Sequence, residues 1–462
     1  MKKFLTVLAS VFLAATLFFC GCTLSDGRDG RDGKDGKDVS ITEIYEKYVE
    51  SYGEISYADF LKEYLNYTNE ELDSLVGLQA KINKSLMCGV SILSRFAYGS
   101  SGSGFFPGRP SSSRNTYKVY TGSGVILWLD KEKGDAYVAT NCHVVYDDTS
   151  VNKFCDDVRL YLYGQDVNGV NFSIDADYSI RGDEDYCINA EILGASVSYD
   201  VALLKVTGSE VLKNSNADVA SFSDAYEAYV GESVYAIGNA SGEGLGASEG
   251  IISRDSEQIE LSLSDENEDD VGVYRVLRTT AAINHGNSGG ALYNAKGEIV
   301  GLVNAKDDSE DVDNMGYVLP ANNVRRILKL MYDNYVENGN RMLSGGGVKK
   351  ARLNVVTQID YTYSLFNSVT NRAEIYETIK VSEIAGSPAS GNLKVDDVIK
   401  NIKLSDPNGN VYEETEVRRN FYVSEMLFSV RAGDTVTLTV LRGEETIEVP
   451  IKMTESCFTS VS

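Results

Sequence analysis

Ser288 sits in Gly286-Asn287-Ser288-Gly289-Gly290, where flanking glycines let the backbone turn sharply and present a hydroxyl beside nearby N–H groups. A serine so placed can attack a carbonyl once a base takes its proton, so acyl transfer is the chemistry to consider. The chain has only two histidines, and His285 lies too close to Ser288 in sequence to be its obvious partner. His143 ends the run Val138-Ala139-Thr140-Asn141-Cys142-His143, in which an apolar strand leads directly into the imidazole. An acid at the edge of a buried strand would orient that imidazole, and Tyr199-Asp200-Val201-Ala202-Leu203-Leu204 supplies one. Each residue alone has a plainer reading: a glycine turn, a satisfied core histidine, a strand-end aspartate. The same glycines and serine also fit G-x-S-x-G, the strand-to-helix nucleophile elbow. There the catalytic histidine follows the serine, and none follows Ser288.

In chain order, His143, Asp200 and Ser288 match the trypsin-like arrangement of a triad. Around them run Gly122-Ser123-Gly124-Val125-Ile126, Thr140 to Val145, Asp200 to Val206, Ala236-Ile237-Gly238-Asn239, Gly250-Ile251-Ile252-Ser253, Ala281 to Leu292 and Gly316 to Pro320. Jointly these segments resemble the HtrA (DegP-like) family of trypsin-fold proteases with PDZ domains, from about residue 80 to 335 and more weakly to 455. The resemblance implies a serine endopeptidase for unfolded or extracytoplasmic proteins, with Ser288 as nucleophile, His143 as base and Asp200 as its orienting acid. It further implies an oxyanion hole from the N–H groups of Gly286 and Ser288. Ile283, Leu302, Val303 and Ala305 would shape the specificity pocket, and without an acid there an aliphatic side chain is expected at the cleavage site. A homotrimer is also implied, although the segment before residue 80 departs from the family. His285 departs too, as a substrate contact or a rim residue. The acidic stretch Asp265 to Asp270 reads as a solvated loop, with calcium binding as the other option. The Gly/Ser-rich stretch Gly99 to Ser113 reads as a regulatory or a disordered loop.

The elements that must position these residues are mostly short strands. Alternating or apolar runs at Tyr117 to Tyr120, Gly124 to Leu129, Ala136 to Ala139, Val201 to Val206, Val234 to Ile237 and Ile299 to Val303 predict strands beginning near Lys81. Asn322 to Tyr335 carries Val324, Ile327, Leu328 and Met331 at helical spacing before Gly339. The expected fold class is mainly β: a trypsin-like double β-barrel at 79–337, a linker at 338–349 and a small PDZ-like α+β domain at 350–455. The PDZ resemblance rests on Ile379 to Ile384, Ser387-Pro388-Ala389, Leu393 to Ile399 and Ala432 to Val436. It implies that a peptide C-terminus adds as a strand and places its carboxylate in a loop containing Leu353, Asn354 and Val355. Asn354 stands where the family commonly has glycine, and asparagine tolerates positive φ better than most residues. A domain that only spaces or assembles protomers is the other reading.

Lys2 and Lys3 precede an apolar run from Phe4 to Phe19, which predicts a secretory signal over 1–21. Gly21-Cys22 resembles a bacterial lipobox. Lipidation of Cys22 would attach the chain outside the cell membrane, whereas cleavage without lipid would release it. Residues 22–39 then form a spacer with a collagen-like period of three, and 40–78 a short helical segment opened by the capping box Ser40-Ile41-Thr42-Glu43. The aromatic stripe of that segment reads as packing surface or as a ligand box. A formal net charge of -25 makes nucleic acid a poor partner. Two histidines with no CxxC or HExxH leave no metal spacing, and no cofactor is expected. If Cys22 is lipidated, Cys88, Cys142, Cys155, Cys187 and Cys457 remain, an odd set with no required disulfide. The rival function is a catalytically silent trypsin-like scaffold that acts as a chaperone or surface-binding protein.

Overall fold

The computed structural model describes residues 41–53, 55, 57–65, 77–99, 116–166, 171–175, 178–182, 185–223, 228–262, 271–306, 315–339, 348–389 and 392–460. Cys22, the triplet spacer, the 100–113 stretch and the acidic 265–270 stretch lie outside the described residues. The chain divides into two units, Met1–Leu72 and Asp73–Ser462. In the first, α1 (Ile41–Tyr52) and α2 (Tyr57–Leu65) turn their aromatic rings on one another. The Tyr48 ring lies 5.3 Å from Phe60 and 4.8 Å from Tyr64, whose hydroxyl is hydrogen-bonded to that of Tyr48 at 2.7 Å.

The second unit opens with α3 (Gly77–Leu86), so the expected change to strands near Lys81 is corrected: helix persists to Leu86. Leu78, Ile82 and Leu86 recur every four residues and turn one face toward the central core. Then come β1 (Gly89–Tyr98), β2 (Thr116–Asp130), β3 (Asp135–Thr140), β4 (Asp157–Leu162), β5 (Phe172–Ile174), β6 (Ile180–Gly182), β7 (Ile188–Asn189), β8 (Glu191–Ser196) and β9 (Val201–Val206). Seven of these form a sheet in the order β7-β4-β1-β2-β3-β9-β8, while β5 pairs with β6. The runs at 117–120 and 124–129 are one strand, β2, rather than two. Gly122 joins them because a Cβ there would meet Val144 Cγ1 at 2.5 Å.

After α4 (Glu210–Lys213), the strands β10 (Ser233–Gly238), β11 (Gly246–Ser262), β12 (Val271–Thr279), β13 (Ala291–Asn294), β14 (Ile299–Lys306) and β15 (Gly316–Pro320) close into a barrel. Val234, Ile252, Leu292, Val303 and Val318 fill it. These two sheets make the mainly-β, trypsin-like double-barrel body. Helix α5 (Ala321–Asn338) closes the seam by burying Val324, Ile327, Leu328 and Met331 against β8, β9 and β14. A Cβ at Gly194 would stand 2.8 Å from Met331 Cγ, so glycine in β8 permits the helix to approach.

The remaining chain forms a second β structure from β16 (Lys349–Ala351), β17 (Val355–Asn367), β18 (Arg372–Ile384), β19 (Val398–Ser405), β20 (Val411–Glu416), α6 (Phe421–Met426), β21 (Thr435–Arg442), β22 (Glu445–Lys452) and β23 (Phe458–Ser460). Its main sheet runs β17-β18-β19-β21-β22 with β20 beside β19, and β17 is an edge. Packing starts at Val348 and extends past 455, because β16 pairs with β23. This region also shares the body's core: Val348 and Phe428 belong to the same buried cluster as Leu193, Leu302 and Met331. Arg275 with Glu425, Arg419 with Asp255 at 2.8 Å and Arg431 with Asp333 at 3.0 Å join it to the body by charge.

Candidate active site

Antiparallel pairing sets Thr140 of β3 opposite Ala202 of β9, so the chain leaving β3 lies beside the chain entering β9. His143 falls in the short 3-10 turn just after β3, and Asp200 immediately precedes β9. Buried Cys142 and Val144 anchor the turn, leaving the His143 side chain 50% exposed while that of Asp200 is 9% exposed. The imidazole Nδ1 is 2.7 Å from Asp200 Oδ2, and the His143 backbone N–H donates to Oδ1 at 2.8 Å. Asn304 also donates its side-chain amide to Oδ2, and Asn141 donates to the Asp200 carbonyl oxygen at 2.8 Å. These bonds fix Asp200 at φ 49°, a left-handed conformation that aspartate enters more readily than most residues. Burial pushes the His143 imidazole toward its neutral form. The charge of Asp200 and the hydrogen bond to it outweigh that push and hold the pKa above the ordinary 6.5.

Ser288 lies between β12 and β13, in a loop pinned to three neighbours. Gly286 at φ 91° and Gly289 at φ 85° allow the turn. A Cβ at Gly286 would lie 2.2 Å from the Asn239 carbonyl oxygen, and one at Gly289 would lie 2.2 Å from that of Ser123. From β2, the Ser123 hydroxyl donates to the Gly286 carbonyl at 2.6 Å and accepts from Asn239 N–H at 2.7 Å. The Ser123 amide donates to the Ser288 carbonyl at 2.8 Å, and Thr140 holds the Ser123 carbonyl at 2.7 Å. From β14, Val303 exchanges hydrogen bonds with Gly289 and Gly290 at 2.9 and 2.8 Å. The backbone N–H groups of Gly286 and Ser288 have no acceptor among the described residues. Exposed His285 turns its carbonyl away to accept from Ser241 N–H at 2.6 Å.

The Ser288 hydroxyl donates to the Asn304 carbonyl at 2.9 Å, and it makes no hydrogen bond to His143 among the described residues. Catalytic hydrogen bonds in such sites often tighten only in the substrate complex. Asn304 thus grips the acid with its side chain and the serine with its main chain. The register of β14 against β15 shifts between Val303 and Ala305, so Asn304 is the bulged residue. The sequence reading missed Asn304, Ser123 and Asn141. A polar residue inside the apolar run Ile299 to Ala305 is the signal that could have found the first.

Of the expected pocket residues, Ile283 and Val303 lie together in the barrel interior, where a Cβ on Gly316 would stand 2.4 Å from Ile283 Cγ1. Leu302 alternates to the opposite face and packs into the seam core, so the structure does not group it with them. Ala305 resumes the pairing after the bulge, opposite Tyr317. In the C-terminal region Leu353 is buried and Asn354 has φ 55°, with its side-chain amide donating to the Ser387 carbonyl and Val355 opening edge strand β17. The amides of Leu353 and Asn354 have no acceptor among the described residues. Nor do the described residues contain a group of His, Cys, Asp or Glu arranged for a metal ion.

Residues 122–302 match the family model of the trypsin-like peptidase domain. The Serine protease Do-like HtrA of Bacillus subtilis (strain 168) is 30% identical over 366 residues, spanning 76% of this chain and 68% of that protein. The Serine protease Do-like HtrA of Lactococcus lactis subsp. lactis (strain IL1403) is 30% identical over 367 residues, spanning 77% and 76%. Among solved structures, the HtrA-type protease AlgW with a decapeptide is similar over 81% of this chain and 97% of its own, at 20% identity and a TM-score of 0.46.

Proposed function

Because the chain belongs to the HtrA family of trypsin-like serine proteases and is a serine endopeptidase, we propose that it cleaves unfolded extracytoplasmic proteins through Ser288, His143 and Asp200. Ser288 attacks the scissile carbonyl as His143 takes its proton. The tetrahedral oxyanion accepts hydrogen bonds from the N–H groups of Gly286 and Ser288. His143 then protonates the leaving amine, and a water molecule, activated the same way, hydrolyses the acyl-enzyme. Asp200 holds the imidazole tautomer and stabilises its charged form. Loss of one oxyanion donor in such a site costs about a hundredfold to a thousandfold in kcat. An aliphatic residue precedes the cleaved bond, a lipid on Cys22 holds the enzyme at the membrane, and the PDZ-like region docks substrate C-termini.

The observation that carries this reading is the 2.7 Å His143–Asp200 pair, with Asn304 linking that acid to the Ser288 hydroxyl. The bond from Ser288 to Asn304 instead of His143 also favours a second reading, a silent scaffold that binds unfolded chains without cutting them. Casein digestion separates the two. The wild type should degrade it and Ser288→Ala, which removes one hydroxyl and no packing, should not. Degradation by both would refute the nucleophile, and degradation by neither would favour the scaffold.

A further inference from the structure

Asp166 lies just beyond β4, is 5% exposed, and forms no ion pair among the described residues. A carboxylate removed from water without a cation is costly unless hydrogen-bond donors replace the lost solvent. Two do. Oδ2 accepts from the Ser91 hydroxyl on β1 at 2.7 Å and from the Leu245 backbone N–H at 2.5 Å. Leu245 ends the loop that joins β10 to β11, and a Cβ on the preceding Gly244 would come within 3.3 Å of the same oxygen. Asp166 therefore ties the first sheet to a loop of the second barrel.

That loop holds itself largely through the short 3-10 turn Ala240–Gly242 and leans on its neighbours for the rest. Gly242 and Gly244 sit at φ 74° and 106°, and Ser241 at φ 58°. Within it, the Asn239 side chain accepts from Gly244 N–H at 2.7 Å. Two backbone bonds close its short turn, from Gly242 N–H to the Asn239 carbonyl at 3.1 Å and from Glu243 N–H to the Ala240 carbonyl at 3.2 Å, and Leu245 packs into the central core. Toward the serine loop, Ser241 N–H donates to the His285 carbonyl at 2.6 Å, and Asn239 N–H donates to the Ser123 hydroxyl that grips the Gly286 carbonyl. The carbonyl of His285 and the N–H of Gly286 belong to one planar peptide and point in opposite directions. Whatever fixes the first aims the second.

We propose that Asp166 is a positioning residue for the oxyanion hole, acting through Leu245, Ser241 and the His285–Gly286 peptide. It touches no substrate. The inference rests on the catalytic reading above and extends it to a residue of the opposite barrel. Loosening the loop lets the peptide plane rotate, which weakens binding of the tetrahedral state more than binding of the substrate, so kcat falls while KM holds.

The test uses the full mature chain, an aliphatic peptide substrate, and a peptide aldehyde whose adduct oxygen occupies the oxyanion position. Misplacing a donor by about 1 Å can cost roughly a hundredfold, so Asp166→Ala should lower kcat by about tenfold to a hundredfold, with KM little changed. Aldehyde affinity should weaken in step. A merely structural role would lower the melting temperature and leave kcat per folded enzyme and aldehyde affinity at wild-type values, which overturns the proposal. So does a rise in KM at constant kcat. Should Asp166→Ala not fold, the isosteric Asp166→Asn carries the test, because a neutral oxygen accepts less strongly than a carboxylate. A severalfold loss in kcat is expected there, and a wild-type kcat overturns the proposal. Ser288→Ala run alongside keeps the two readings apart: cleavage surviving in that variant defeats the nucleophile assignment, whatever Asp166 does.

Discussion

At the level of single residues, the proton affinity of His143 is set by a contest between burial, which favours the neutral ring, and Asp200, which favours the charged one. Asp200 prevails, and a general base must be neutral to act. The acid limb of kcat/KM should therefore lie above the ordinary imidazole value of 6.5. Stability runs the other way. With its folded pKa raised, the pair's contribution is full below the unfolded value and is lost as pH rises through the folded one. Asp200→Asn should move the limb down and lower kcat by about ten-thousandfold, the loss seen when other triads receive the same change. A wild-type limb at or below the ordinary value would contradict this account of the pair. His143, Asp200 and Ser288 were singled out in the sequence because each adjoins a diagnostic local pattern, an apolar strand on one side or glycines on both, and the structure brings His143 to Asp200. Asn304, Ser123, Asn141 and Asp166 were not, since their roles arise from strands and loops brought together only by folding.

Among the elements, the bulge in β14 shows why strand reading stops short of site reading. The apolar run Ile299 to Val303 predicts the strand correctly, yet ordinary alternation puts Leu302 on the face away from Ile283, and the extra residue after Val303 aims Asn304 at Asp200. Helix α3 outlasted its expected end because Leu78, Ile82 and Leu86 serve a core whose other members lie far along the chain. Similarly, β2 runs unbroken through the gap between the two expected strand runs, and the glycines at 122 and 124 admit Val144 and Val138 at close range. Edge strand β17 bears on peptide docking. It follows Leu353 and Asn354, whose amides have no acceptor among the described residues, and a terminal carboxylate would satisfy such a pair. With Ser288→Ala in the full chain, a labelled peptide with a free C-terminus should bind at least tenfold more tightly than its C-terminal amide, about 1.4 kcal/mol. Equal anisotropy titrations for the two would count against the carboxylate loop.

Across the whole molecule, the seam core joins α3, both sheets, α5, Val348 and Phe428. The Phe428 ring meets Tyr199, the residue before Asp200, at 4.7 Å and 80°. Cutting the chain at 348 would open that core, so the C-terminal region is not a detachable module, and point substitutions in the intact chain are the sounder probe of its role. Local strand and turn signals pointed to a small domain over 350–455 but not to the core that Val348 and Phe428 complete. The anchor is argued from the other end of the chain, where Gly21-Cys22 follows an apolar run. One acyl chain alone binds membranes marginally, whereas several on a single cysteine hold firmly. Cys22→Ser should shift the enzyme from the membrane fraction to the soluble fraction, and an unchanged membrane fraction would disprove the lipid. The catalytic assignment is tested most directly by treating the native enzyme with a fluorophosphonate probe and mapping the adduct by mass spectrometry. A single adduct on Ser288, slowed severely by His143→Ala and absent from Ser288→Ala, is the predicted result; an unlabelled Ser288 in enzyme that still digests casein would contradict it.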